Sequence, residues 1–294
     1  MPPPVRPRTT SKTVATKPGC APLKWAYDRA VRAEPKTWDQ VEGDFLKAMA
    51  EFDTNIVSGV ADMGDLQNGK GDFLNDLLAL LLENCAGVTL YSRGAVPGLN
   101  FPRHNLDVTF PNTGVVEFLL EAKAVGTPKH AGSPKQEAIG RPGSADLDKR
   151  VKEIGFKTID LKFEYARIMA QLRDERPTPI GGDLTTWLHS VKPRSYLFIA
   201  ARATSDNDYQ RLIRIANVAG LVSDAVGVYC FTPVSASQPT TYKPRKVPPH
   251  IELARVLFRA CQDLTALKTA EPIEAPSPSP SVLAEEIPEL KNGG

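Results

Sequence analysis

Asp107, Glu121 and Lys123 are the side chains of this 294-residue chain whose types and spacing point to chemistry. They fall in NLDVTFPNTGVVEFLLEAKAV, residues 105–125. The stretch reads as two β-strands, Asn105 to Phe110 and Val115 to Val125. Pro111, Asn112, Thr113 and Gly114 between them are turn formers. Strand side chains alternate with period two, so Glu117, Glu121 and Lys123 share one face. Asp107 lies on the neighbouring strand. Two carboxylates and an ammonium can therefore meet at one edge of a largely apolar sheet. Burying such charges is costly unless they pair or hold a metal, and Val or Leu would serve folding better. Two hard oxygen donors suit Mg²⁺, with Mn²⁺ as a substitute, because Mg²⁺ keeps several waters and takes one or two protein carboxylates. The competing reading is a buried ion pair of Glu121 with Lys123 or Asp107, which adds little net stability. Glu117, one same-face step behind Glu121, reads as an exposed strand residue.

Asp107, thirteen intervening residues and then Glu121-Ala122-Lys123 resemble the D…ExK signature of the PD-(D/E)XK nuclease superfamily, the restriction-endonuclease-like fold. Leu106 precedes Asp107 where that family often has Pro. The resemblance implies an α/β protein with an αβββαβ core, a mixed central sheet flanked by helices. It implies a metal-dependent endonuclease that hydrolyses DNA phosphodiester bonds. Asp107 and Glu121 would be metal ligands, joined by the backbone carbonyl of Ala122. Lys123 would orient the attacking water and stabilise the phosphate oxyanion. An acid on the first core helix would face the metal, and Asp76 is the choice, with Glu83 as the alternative. A non-catalytic nucleic-acid-binding protein on the same fold is the second functional reading. The chain shows no GxxxxGK[ST], GxSxG or GxGxxG at a strand–helix junction, which disfavours a phosphate-loop or serine-nucleophile enzyme.

The elements that must position these residues are legible in part. Helices are expected at 25–33 and 37–52, the latter with Trp38, Val41, Phe45, Met49 and Phe52 as one apolar stripe. Residues 56–67, with Gly59 and Gly64, read as loop or short helix. Asp72 to Cys85 is Leu-rich and stops at Gly87, so it should be a buried helix. Asp72 then reads as an N-cap or first-turn residue that favours the helix dipole. Residues 88–93 complete a three-strand meander with the hairpin. Residues 126–144 form a long Gly-, Pro- and Lys-rich loop. A charged helix follows over 146–173, with a possible break at Gly155. Tyr165 and Phe156 within it read as core. A loop at 177–183 comes next. Strand 196–201, helix 209–221 and strand 226–231 imply a parallel crossover. A loop at 244–249 leads to a final amphipathic helix, 251–267.

Charge is uneven. Residues 1–22 carry Arg6, Arg8, Lys12 and Lys17 and no acid. Residues 270–294 carry five Glu against one Lys. Both read as disordered tails, basic and acidic, around one domain at 23–269. Segment 123–173 holds eleven Lys or Arg against six Asp or Glu, a local +5 beside the acidic centre, which suits a polyanion. Arg103, Lys129, Lys135 and Arg141 are the expected DNA contacts, with Arg93, His104 and His130 nearby. Double-strand cleavage by one site per chain would call for a homodimer. Cys20, Cys85, Cys230 and Cys261 are far apart, which argues against a zinc site or a disulfide framework; Cys85 and Cys230 read as small core residues. With no membrane-length apolar run and no secretory leader, the expected compartment is a reducing cytoplasm.

Overall fold

The computed structural model describes residues 37–60, 62–130, 140–145, 147–175, 182–269 and 273. The expected helix at 25–33, both tails apart from Ile273, and Lys135 lie outside these residues. Helix α1 (Trp38–Ser58) opens on a capping box in which the Thr37 amide donates to Gln40 Oε1 at 2.9 Å. It closes on Gly59 in the left-handed region, six residues later than the sequence suggests. Helix α2 (Met63–Ala86) begins nine residues before Asp72, with Asp62 as its cap. Asp72 is thus a mid-helix residue, not a first-turn one.

Strands β1 (Tyr91–Val96), β2 (His104–Phe110) and β3 (Phe118–Val125) form the antiparallel meander. β3 starts three residues later than expected, because Val115 to Glu117 leave the ladder. The Val115 amide instead donates to Ile273 O at 3.0 Å. A two-residue ribbon, β4 (Thr127–Pro128) with β5 (Gly140–Arg141), closes the base of the long loop. Helix α3 (Leu147–Leu172) runs unbroken through Gly155. A short helix α4 (Leu184–Ser190) precedes strand β6 (Arg194–Arg202). Helix α5 (Asp206–Ala219) then crosses to strand β7 (Ala225–Ser235). Strand β8 (Gln238–Arg245) returns antiparallel, and helix α6 (Leu253–Lys268) ends the fold.

The protein is α/β, with a mixed six-strand sheet in the order β1-β2-β3-β6-β7-β8 and helices on both faces. α1, α2 and α6 cover one face through Phe45, Phe52, Leu74, Leu78 and Leu264. α3 and α5 cover the other through Val151, Ile154, Leu212 and Ala216. β3, β6 and β7 are mutually parallel, so their carboxyl ends point the same way.

Two cysteine expectations are corrected. Cys85 is not a core residue. It is exposed at the end of α2 and joined by a disulfide to Cys261 on α6, 176 residues away. Scattered spacing hides this pairing because the two helices meet only in the fold. Cys230 is a buried free thiol, as expected, and burial pushes its pKa up to about 12. Among the described residues no helix is long and apolar enough to cross a membrane.

Candidate functional site

The hairpin sets the geometry. The β2–β3 register pairs Phe110 with Phe118, Thr109 with Leu119 and Val108 with Leu120, and the ladder then stops. β3 stays paired to β6 as far as Val125. The sheet therefore splits between β2 and β3 just beyond Leu120. Continuing the register by one pair would set Asp107 opposite Glu121, at the cross-strand spacing of about 5 Å between Cβ atoms. A cleft of about 330 Å³ opens here, with Asp72, Asn75, Asp107, the Ala122 residue, Lys123 and Arg141 in its lining.

Glu121 is buried and held by two ammonium groups. Lys123 Nζ donates to Oε2 at 3.0 Å and Lys157 Nζ, from α3, donates to Oε1 at 2.5 Å. Lys157 Nζ also donates to Asn105 O at 2.9 Å, so it ties α3 to the start of β2. Burial alone would raise the Glu121 pKa, but the charges of Lys123 and Lys157 bring it below the usual value. Asp107 behaves oppositely. Its carboxylate has no hydrogen bond among the described residues. Desolvation, then the neighbouring charge of Glu121, raises its pKa despite the two lysines, and Asp72 adds to the rise.

The helix acid in the cleft is Asp72. Asp76 is buried one turn on and is not among the lining residues. Glu83 accepts from the Leu90 amide at 2.7 Å, far along α2. Asn75, the other α2 residue at the cleft, holds a buried Oδ1 without a partner among the described residues. Glu117 is not an exposed strand residue but a buried one, paired with Lys192 at 3.1 Å. Arg141 lines the cleft, whereas exposed Lys129 and Arg103 lie outside its lining. Arg93 Nη1 is buried on β1 without a partner among the described residues, and burial lowers the Arg93 pKa. His104 faces Asp160, not the carboxylates.

The cleft floor is fixed from behind. Lys70 donates to Asp53 Oδ1 at 2.8 Å and to Gly126 O at 3.3 Å. Tyr242 donates to the other Asp53 oxygen, and Arg202 donates to Tyr242 Oη at 3.2 Å and Thr127 O at 3.4 Å. Gly126 sits at φ +89°, where a Cβ would lie 2.8 Å from Arg202 O, so the chain needs glycine at this bend. Asp208 accepts from the amides of Gly143, Ser144 and Thr204, and so fastens the returning loop to the end of β6.

These residues fit a hard cation, with one condition. The donors are all oxygen, and the uncompensated Asp107 carboxylate beside Glu121 is what a cation would relieve. Among the described residues no three His, Cys, Asp or Glu side chains converge on one point. The carbonyl of Ala122 and solvent waters would have to complete the shell, and a lysine would have to leave Glu121 to free its oxygen. Lys157 is the member of this cluster that the sequence did not point to; its only signal was its place in the basic segment 123–173.

Asp107 also makes a stability prediction. A carboxyl whose folded-state pKa is raised favours folding below its ordinary value, and that contribution is lost as pH rises through the folded one. Asp107 is itself exposed on β2, so screening by water keeps the effect small: Asp107→Asn is expected to raise the melting temperature slightly at pH 7, and the gain should fade below about pH 4. Thermal melts at pH 7 and pH 3.5 check this; a lower melting temperature at pH 7 would refute the electrostatic account.

Comparison with protein-family models, with curated proteins and with solved structures gives no match.

Proposed function

We propose that the protein is a Mg²⁺-dependent endonuclease acting on DNA, restriction-endonuclease-like in its core. The observation that carries this reading is the split between β2 and β3. It leaves Asp107 in a cleft lined also by Lys123, Arg141 and Arg150, with buried Glu121 and its partner Lys157 directly behind Lys123. The order of elements from α2 to β7 supports it too: helix, three strands, helix, strand, helix, strand, once short α4 and the two-residue ribbon are set aside.

Asp107, Glu121 and the Ala122 carbonyl would hold the cation, which when bound neutralises charge on the scissile phosphate and acidifies a water. Lys123 orients that water through its contact with Glu121. Lys157, bonded to Glu121, would take up charge on the phosphate oxygens. Arg141 and Arg150 hold neighbouring phosphates. The water oxygen bonds to phosphorus as its proton passes to solvent, one P–O ester bond breaks, and the departing oxygen takes a proton from solvent. Cleavage of both strands calls for two copies of the chain.

Saturation of Glu121 by two ammonium groups favours one other reading, a DNA-binding protein in which the cluster is only an ion-pair network. One experiment separates them. Plasmid and linear phage DNA are incubated with the protein in Mg²⁺, in Ca²⁺ and in chelator. Fragments in Mg²⁺ alone, with binding retained in Ca²⁺, are expected. Binding without fragments under every condition would support the ion-pair reading.

A further inference from the structure

Phe101 and Phe156 pack edge to face, centroids 4.9 Å apart at 86°, yet they are 46% and 51% exposed. The expectation that Phe156 belongs to the core is corrected by this exposure. Leaving two aromatic rings half in water forgoes apolar burial that would favour folding. The molecule nevertheless fixes them there. Asp160, buried on α3, accepts from Asn100 N at 2.8 Å, Asn100 Nδ2 at 3.0 Å and Phe101 N at 3.2 Å. It also meets His104 Nε2 at 2.7 Å. Burial alone would raise the Asp160 pKa, but these hydrogen bonds, that of His104 first, bring it below the usual value. The Gly98 amide closes the loop on Phe101 O at 2.8 Å, and a Cβ at Gly98 would collide with the Asp160 carboxylate. A loop clamped this fully holds its exposed ring in one place.

That place adjoins the cleft. Phe156 precedes Lys157, which bonds Glu121, and Phe101 lies four residues before Asn105, whose carbonyl Lys157 also binds. Arg150, in the cleft lining, is six residues before Phe156 on α3, about 9 Å along the helix axis. Arg103, two residues after Phe101, is exposed. A strand whose phosphates follow Arg150 and Lys157 would bring a base to the two rings. In an intact duplex base faces are covered by neighbouring bases, so only an unstacked base can offer its π-face to a phenylalanine.

We infer that Phe101 and Phe156 form a stacking shelf for an unpaired base, so that the substrate is single-stranded or locally opened DNA entering the cleft along α3. This rests on the nuclease reading above. It is tested by binding alone, in Ca²⁺, with the full chain and two probes: a fluorescein-labelled 20-nucleotide single strand and the blunt duplex of the same sequence. Phe101→Ala and Phe156→Ala are each expected to weaken single-strand binding roughly 5- to 100-fold, the range for one base–aromatic stack. Phe101→Trp should restore it, and Leu99→Ser in the same loop should change nothing. Duplex affinity should stay within about twofold of the parent. An equal loss on both probes, no loss on either, or a parent that ignores the single strand would overturn the inference. So would a change of oligomeric state in Phe101→Ala, which would mean that the rings seat a second copy of the chain. Stacking-dependent binding without cleavage in Mg²⁺ would sink the nuclease reading and leave the shelf standing; cleavage without the aromatic effect would do the reverse.

Discussion

Glu121→Gln is expected to lower Mg²⁺-dependent DNA cleavage at least about a thousandfold while DNA binding in Ca²⁺ survives. The loss corresponds to about 4 kcal/mol of transition-state stabilisation, within what a metal held at a phosphate supplies. Gln keeps the shape of the side chain and can accept from one lysine through its amide oxygen, but it no longer carries the charge that recruits a cation. Asp107→Ala should fail equally. Lys123→Ala should bind DNA and cation and lose the hydrolytic step, and Lys157→Ala should do likewise, because each leaves the other ammonium on Glu121. Double variants should lose little more than single ones, as for residues that act as a unit. Circular dichroism alongside each assay separates lost chemistry from lost folding. If Glu121→Gln cuts as the parent does, the cleft has been assigned the wrong chemistry.

The centre of this site was legible because it lies on one hairpin. Period-two alternation places Glu121 and Lys123 on one face, and the turn formers at 111–114 bring Asp107 across from them. Both inferences need only local rules, and the structure keeps both. Lys157 was not legible, since its partner Glu121 is 36 residues away and on a different element. The choice of Asp76 over Asp72 followed from a misplaced helix start. Gly64, Gly69 and Gly71 weaken the first half of α2 on propensity, so the apolar run at 72–85 looked like the whole helix. Packing of Leu66 and Phe73 into the core overrides that weakness and carries the helix back to Met63.

The same division holds across the fold. The meander and the β6–α5–β7 crossover announce themselves through short apolar runs separated by turn or helix patterns. β8 does not: Pro239 and Pro244 argue against a strand, and its two-residue turn, Ala236-Ser237, lacks Gly and Asn. Its place at the sheet edge, where proline is tolerated, reconciles the sequence with the structure. Phe156 was misread for a related reason. A phenylalanine on a helix belongs to the core by default, and only the fold shows that this one stays half in water against Phe101, whose loop is clamped on Asp160.

Asp53→Ala is expected to cost about 3–5 kcal/mol of stability, the usual effect of removing one partner from a buried ion pair. Asp53 is 0% and Lys70 3% exposed, so neither can turn to water when the other is lost. The variant would strand the Lys70 ammonium with Gly126 O as its other hydrogen-bond acceptor, and would take the acceptor from Tyr242. Burial, and next the charge of Asp53, raises the Tyr242 pKa, so the phenol stays protonated and needs that acceptor. At roughly 2–4 °C per kcal/mol for a domain of this size, the melting temperature should fall by about 10 °C. Asp53→Asn, which keeps two polar atoms but no charge, should fall between the variant and the parent. The damage should also reach the cleft, because Lys70 and Arg202 hold the carbonyls of Gly126 and Thr127 directly beyond β3. DNA affinity measured well below the lowered melting temperature should therefore drop as well. A melting temperature within about 3 °C of the parent would mean that these buried charges find water or other partners. The floor of the cleft would then owe its shape to the backbone of Gly126 and Gly143 packed against Arg202.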